Sequence, residues 1–184
     1  MISQTQINHA ADILSGGGVI AYPTESSFGL GCVADNLDAL NRILQIKKRP
    51  PEKGLIILVS DIEQAKRYIQ PLTSTELKQI TLPRERATTW LIPKTDKVLF
   101  ELGGEHPKLA VRVTQHPVAR ALCDAINAPL VSTSCNRAGE EAMLDACAIK
   151  AKMGDELDLI VAGNVGGQSA SQIIDLESGQ VLRS

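Results

Sequence analysis

The chain has 184 residues, a length that suits one domain with a real core. Apolar residues make up 43% and charged ones 22%, the balance of a globular chain and not of a disordered or fibrous one. A net charge of −2 and an aromatic share of 3% argue against a protein that holds nucleic acid through a basic surface or by stacking bases.

In chain order, Ser3 and Gln6 have the spacing of a capping box, and Ile7, Ala10, Ala11 and Leu14 then recur at helical period. Gly16 to Gly18 end that helix. The run 19–23, VIAYP, reads as a strand entering a turn. Asp35 or Asn36 caps a second helix carrying Leu37, Leu40, Ile43 and Leu44, which must stop before Pro50 and Pro51. The continuous apolar run 55–59, LIILV, reads as a strand covered on both faces. Ser60 with Glu63, and Thr73 with Glu76, look like two more capping boxes. Further strands are expected at 89–93, 109–113, 129–133, 157–162 and 172–176, and helices at 116–126 and 145–154. Strands and helices mixed in one length of chain, with no linker to divide it, predict a single α/β domain over 1–184.

No stretch approaches the ~18 apolar residues of a membrane span. The opening MISQTQINHAADIL lacks a basic start followed by an apolar run, so the expected setting is the cytoplasm, with no membrane partner. Cys32, Cys123, Cys135 and Cys147 form no C-x-x-C pair and share no ligand spacing with His9, His106 or His116, so no protein-held metal is expected.

Four segments carry chemistry. In 22–31, YPTESSFGLG, a strand delivers Thr24, Glu25, Ser26 and Ser27 to a turn, and Gly29 and Gly31 allow a close approach of backbone. The glycines fit a loosened dinucleotide fingerprint, but they do not directly follow a strand and lack the acidic residue ~20 positions on, which excludes a Rossmann site. In 47–54, KKRPPEKG, Lys47 and Arg49 lie two apart. In extended chain beyond the helix they would point the same way, a pairing suited to polyphosphate. In 129–139, PLVSTSCNRAG, extended backbone puts Ser132, Ser134 and Asn136 on one side, with small side chains that leave room for a ligand. Residues 163–175 form a glycine–serine loop leading to a strand, without the P-loop pattern. No Ser–His–Asp order or paired-carboxylate motif stands out. Cations, hydroxyls and an amide are tools of positioning and charge neutralisation, the main needs of phosphoryl and nucleotidyl transfer.

Taken in order, these segments resemble the YrdC/TsaC family. YPTESSFGLG is similar to its Y-P-T-E-x-x-[YF]-G-L-G opening, Lys47–Lys48–Arg49 to its K-x-R, Val111–Arg112 to its V-R, Ser134–Cys135–Asn136 to its S-x-N, and SQIID at 171–175 to its closing strand. The resemblance implies a twisted mixed sheet flanked by helices, with a large, positively lined cavity. It implies a threonylcarbamoyl-AMP synthase, which makes L-threonylcarbamoyl-adenylate and pyrophosphate from L-threonine, bicarbonate and ATP. Partner proteins then modify the adenosine beside the tRNA anticodon, and a direct tRNA contact is left open. With a chain ending soon after the closing strand, the short bacterial form is the one resembled. Lys47 and Arg49 are expected to be catalytic and to bind ATP with Ser134, Asn136 and Arg112. Thr24, Ser26 and Ser171 are expected at the threonine end, and Mg²⁺ is expected to arrive on the nucleotide. The competing reading is a non-catalytic RNA-binding or ribosome-maturation module. One departure stands out: the family's G-P-x-T stretch reads Arg86–Ala87–Thr88–Thr89 here.

Overall fold

The computed structural model describes residues 2–184. The first helix, α1 (Gln4–Ser15), starts with the expected capping box: the Ser3 hydroxyl accepts from the Gln6 amide, and the Gln6 side chain accepts from the Ser3 amide. Strands β1 (Ile20–Pro23) and β2 (Phe28–Gly31) then pair antiparallel. Asn36 caps α2 (Leu37–Lys47), and β3 (Ile56–Val59) follows. Thr73 and Glu76 close the second capping box, at α3 (Ser74–Thr81). The remaining elements are β4 (Thr88–Pro93), α4 (Phe100–Gly103), β5 (Lys108–Val113), α5 (Pro117–Ile126), β6 (Leu130–Ser134), α6 (Ala146–Met153), β7 (Leu159–Ile160), β8 (Gln172–Asp175) and β9 (Val181–Arg183).

Several expectations are corrected. Ser60 and Glu63 do not open an α-helix. Asp61 accepts from the Glu63 amide instead and starts only a short 3-10 turn, Ile62–Ala65, while Ser60 N–H is taken by the Gln64 side chain. The strand expected over 157–162 shrinks to two residues, because β7 meets only Ile20 and Ala21 of β1. The glycines of 22–31 sit on a strand, β2, and not in an open loop. A Cβ on Gly31 would come within 2.6 Å of the Tyr22 ring and 2.5 Å of Val131 O. What approaches that backbone is the chain's own buried tyrosine, whose hydroxyl donates to Val131 O at 3.0 Å.

Among the described residues nine strands form one mixed sheet, ordered β7-β1-β2-β6-β3-β5-β4-β8-β9. Period-2 alternation makes two rows across its centre. Val131, Ile57, Val111, Trp90 and Ile174 stand in register on one face, all in the larger core cluster with Leu40 and Ile43 of α2. One residue along, Ser132, Ile56, Ala110, Leu91 and Asp175 stand in register on the other face. That second face carries a smaller cluster in which α1 and α5 cover Ile20, Tyr22, Leu58 and Leu130. The two helices reach no farther across the sheet, and the row from Ser132 to Asp175 faces a hollow. No helix among the described residues is long and apolar enough to cross a membrane.

Candidate active site

The hollow has a volume of about 830 Å³, and its floor is the Ser132–Asp175 row. Its wall includes Thr24, Ser26, Arg49, Arg112, Ser134, Asn136 and Ser171, seven of the eight residues singled out in the sequence. The eighth, Lys47, lies behind the wall. Its residue is 4% exposed, and all three N–H bonds of its ammonium are spent: on Ser134 O (2.5 Å), Asn136 O (2.9 Å) and Asn136 Oδ1 (2.9 Å).

The reason Lys47 and Arg49 share a region differs from the one expected. Lys47 is still helical, and the chain turns at Lys48, which is left-handed at φ 51°. Lys48 N–H bonds Gln45 O and Arg49 N–H bonds Leu44 O, a Schellman closure built on a lysine where glycine is the usual choice. The turn sends Lys47 toward the end of β6 and leaves Arg49 on the hollow. There the Arg49 guanidinium donates to Gly54 O (2.8 Å and 3.2 Å) and Lys53 O (3.3 Å).

The end of β6 is sewn to the end of α2. Arg137 donates to Ile46 O, and Ala138 N–H to Lys47 O. Extended backbone lasts only through Ser134. Asn136 N–H then turns back to Ser134 O, and the Ser134 hydroxyl donates to Asn136 Oδ1 at 2.5 Å. Ser134 and Asn136 share a side because of this turn and the lysine beneath it, not because of strand alternation. Burial pushes the Lys47 ammonium down to about 8, and neighbouring Arg49 adds to that. Its three oxygen acceptors favour the charged form, so at neutral pH it is a cation under the strand end.

The opposite end is held by a buried ion pair. Arg112 Nη1 lies 3.3 Å from Glu25 Oε2, with both side chains almost fully buried. Glu25 also accepts from the Thr114 hydroxyl (2.7 Å) and from the backbone N–H of Gln115 (3.0 Å) and His116 (3.3 Å). Burial alone would push the Glu25 carboxyl up. Arg112, Thr114 and the backbone donors outweigh it and hold the carboxyl below its usual 4.5. The Arg112 Nε has no protein partner. Ser171 is buried, its hydroxyl 2.9 Å from that of Thr89 and 3.1 Å from Arg183 Nη2. The Thr24 hydroxyl donates to Ser27 O at 2.8 Å.

Sequence reading missed Arg183 and Lys108 as lining residues. Arg183 reaches the hollow from β9, a strand of three residues too short to announce itself. Ser132 was seen as part of the small-residue strand end, and only the register shows it to be the floor.

This is an α/β domain with arginines, hydroxyls and an amide around an uncovered half of one sheet face, a lining whose chemistry suits a small anionic ligand. The family model for Sua5, YciO and YrdC proteins, described as "Telomere recombination", matches residues 12–184. The chain belongs to this family. It is 41% identical over 180 residues, covering 97% of this chain and 95% of its counterpart, to a threonylcarbamoyl-AMP synthase of Marinobacter nauticus. Among solved structures it resembles E. coli YciO, with 30% identity, a TM-score of 0.83 and coverage of 100% of this chain and 91% of that one. It also resembles P. abyssi Sua5 complexed with L-threonine, with 26% identity, a TM-score of 0.86 and coverage of 98% of this chain and 54% of that one.

Proposed function

We propose that this protein is a threonylcarbamoyl-AMP synthase, a nucleotidyltransferase that makes L-threonylcarbamoyl-adenylate and pyrophosphate from L-threonine, bicarbonate and ATP. The observation that carries the reading is the meeting of Arg49, Ser134 and Asn136 on one wall of the hollow, with Lys47 under it, in a chain 41% identical to a synthase over 97% of its length.

The threonine amine and bicarbonate condense to a carbamate: the N–C bond forms as the bicarbonate C–OH bond breaks, and the hydroxyl leaves with an amine proton as water. A carbamate oxygen attacks the α-phosphorus of ATP, and the bond to the bridging oxygen breaks as pyrophosphate leaves with its electrons. Charge then grows on the phosphates. Arg49 adds a guanidinium charge beside them, and Lys47 adds fixed positive charge from behind the strand end. Asn136 and Ser134, locked to one another and to Lys47, hold the nucleotide in line. Thr24, Ser26 and Ser171, across the floor, receive the threonine or carbamate, and Arg112 serves the same hollow. The hollow's own carboxylates are Asp175, engaged by Lys108, and Glu140. That donor set fits Mg²⁺ carried on ATP phosphates better than an all-protein cage, and the ion would supply further charge neutralisation there. The product is proposed to pass to partner proteins that modify the adenosine beside the tRNA anticodon.

The test is pyrophosphate release from purified protein with ATP and Mg²⁺. Release is expected only when threonine and bicarbonate are both present. Ser134→Ala is expected to lose on the order of 10²–10³ in rate. Folded Lys47→Ala and Ser134→Ala variants with near-normal rates would refute the residue roles. ATP use that ignores threonine would refute the reaction.

A further inference from the structure

The segment 163–171 reaches the rim of the hollow at Ala170 and Ser171 and is tied down at nearly every second residue. His116 Nε2 lies 3.0 Å from Asn164 O. Gly166 N–H donates to Thr24 O, and Gln168 N–H to Glu25 O. Gly166 lies so close to residue 25 that a Cβ there would stand 2.9 Å from Glu25 O. Arg183 donates twice to Ser171 O, at 2.9 Å and 2.8 Å.

The remaining tie comes from Arg86, the residue that stands where the family pattern has glycine. Its Nε and Nη2 both donate to Ala170 O, at 3.1 Å and 2.7 Å. The next residue, Ala87, gives its N–H to the Gln168 side chain at 3.0 Å and accepts from Gln172 N–H at 3.0 Å. The segment is thus clasped from 168 to 172 by a two-residue stretch that lacks the stiffness of a Gly-Pro turn. A guanidinium fork on one carbonyl supplies by hydrogen bonding the rigidity that a proline would supply by its ring.

We propose that Arg86 is a positioning residue: it straps Ala170 so that the adjoining Ser171 hydroxyl is held in the hollow for the threonine end of the substrate. The strap also gathers charge. Arg183 is pushed down first by burial and then by Arg112 and Arg86. Arg86 and Arg183 thus set two guanidinium groups on the consecutive carbonyls of Ala170 and Ser171, so the strapped rim favours a substrate that brings a carboxylate.

The proposal rests on the placement of threonine near Ser171, and the experiment separates the two. Hydrogen exchange is followed at the Gly166, Gln168 and Gln172 amides in the full chain and in Arg86→Ala, Arg86→Lys and the double variant Arg86→Gly with Ala87→Pro. KM values for threonine and ATP are measured alongside. In Arg86→Ala the three amides should exchange faster, and KM for threonine should rise on the order of ten-fold with kcat nearly unchanged, as expected for a lost charged hydrogen bond. Lysine should restore part of this, and Gly-Pro, which stiffens the turn but deletes the Ala87 N–H bond to Gln168, should restore only part as well. Unchanged exchange overturns the strap, and faster exchange with no change in either KM overturns its positioning role. Faster exchange with only KM for ATP raised keeps the strap and overturns the threonine placement.

Discussion

Two rows of the same sheet, one residue apart, have opposite fates. Val131, Ile57, Val111, Trp90 and Ile174 are packed into the larger core, while Ser132, Ile56, Ala110, Leu91 and Asp175 floor the hollow. The strands are identical, so the backbone does not make the difference. What makes it is the extent of helix cover: α1 and α5 stop at Leu58 and Leu130 and leave the rest of their face bare. The hollow is therefore a sheet face without a second layer, and its polar groups replace an absent helix. One row should govern stability and the other activity.

The largest effect tests where that division fails. Arg112 lines the hollow, yet it and its partner Glu25 are buried as deeply as core. Glu25→Ala leaves a guanidinium without its partner and should cost about 3–5 kcal/mol, read from urea unfolding. The pair also sets a pH dependence. The native Glu25 carboxyl lies below 4.5, so its stabilisation is complete above that value and is lost as pH falls through the lowered native value. Glu25→Gln should flatten this acid limb, and an unchanged limb would show that the pair contributes nothing. Next, Ile57→Ala in the apolar row should cost about 2–5 kcal/mol while the folded fraction keeps its turnover. Arg49→Ala should do the reverse: pyrophosphate release falls on the order of 10²–10³ with the unfolding midpoint nearly unchanged. If Arg49→Ala unfolds the chain while Ile57→Ala spares it, the division between the rows is wrong.

Lys47 gives a subtler test, because its native value is about 8 against an ordinary 10.5. Between these values the unfolded chain binds more protons than the native one, so stability rises with pH. Over the same window the ammonium under Ser134 and Asn136 is lost, so turnover should fall. Opposite slopes of stability and kcat above pH 8 are the expected signature, and Lys47→Arg should move the falling limb to higher pH. The smallest effect lies far from both rows: Ser3→Ala removes the α1 cap and should cost about 1 kcal/mol, with no effect on turnover.

Much of the site was legible because its residues belong to short, local patterns. Thr24, Ser26, Ser134 and Asn136 stood out at strand ends and Arg49 beyond a helix end, Arg112 and Ser171 came from the family resemblance, and all line the hollow. Lys47 was legible as a cation but not as a brace, since its three acceptors come from residues 87 and 89 positions away. The glycines at 29 and 31 suggested a ligand, and at Gly31 the neighbour is Tyr22. Ser60 misled because Asp61, one residue on, caps the turn instead.

The amino-acid order alone determined the alternation of the strands, the caps of α1 and α3, and which residue types were available for chemistry. These depend on neighbours two to four positions apart, where chain geometry leaves few choices. Tertiary structure alone decided which row of the sheet went uncovered, that Lys47 would sit behind the wall, and that Arg86 and Arg183 would grip consecutive carbonyls. Those outcomes depend on register and on how far two helices extend over a sheet, which are properties of partners distant in the chain.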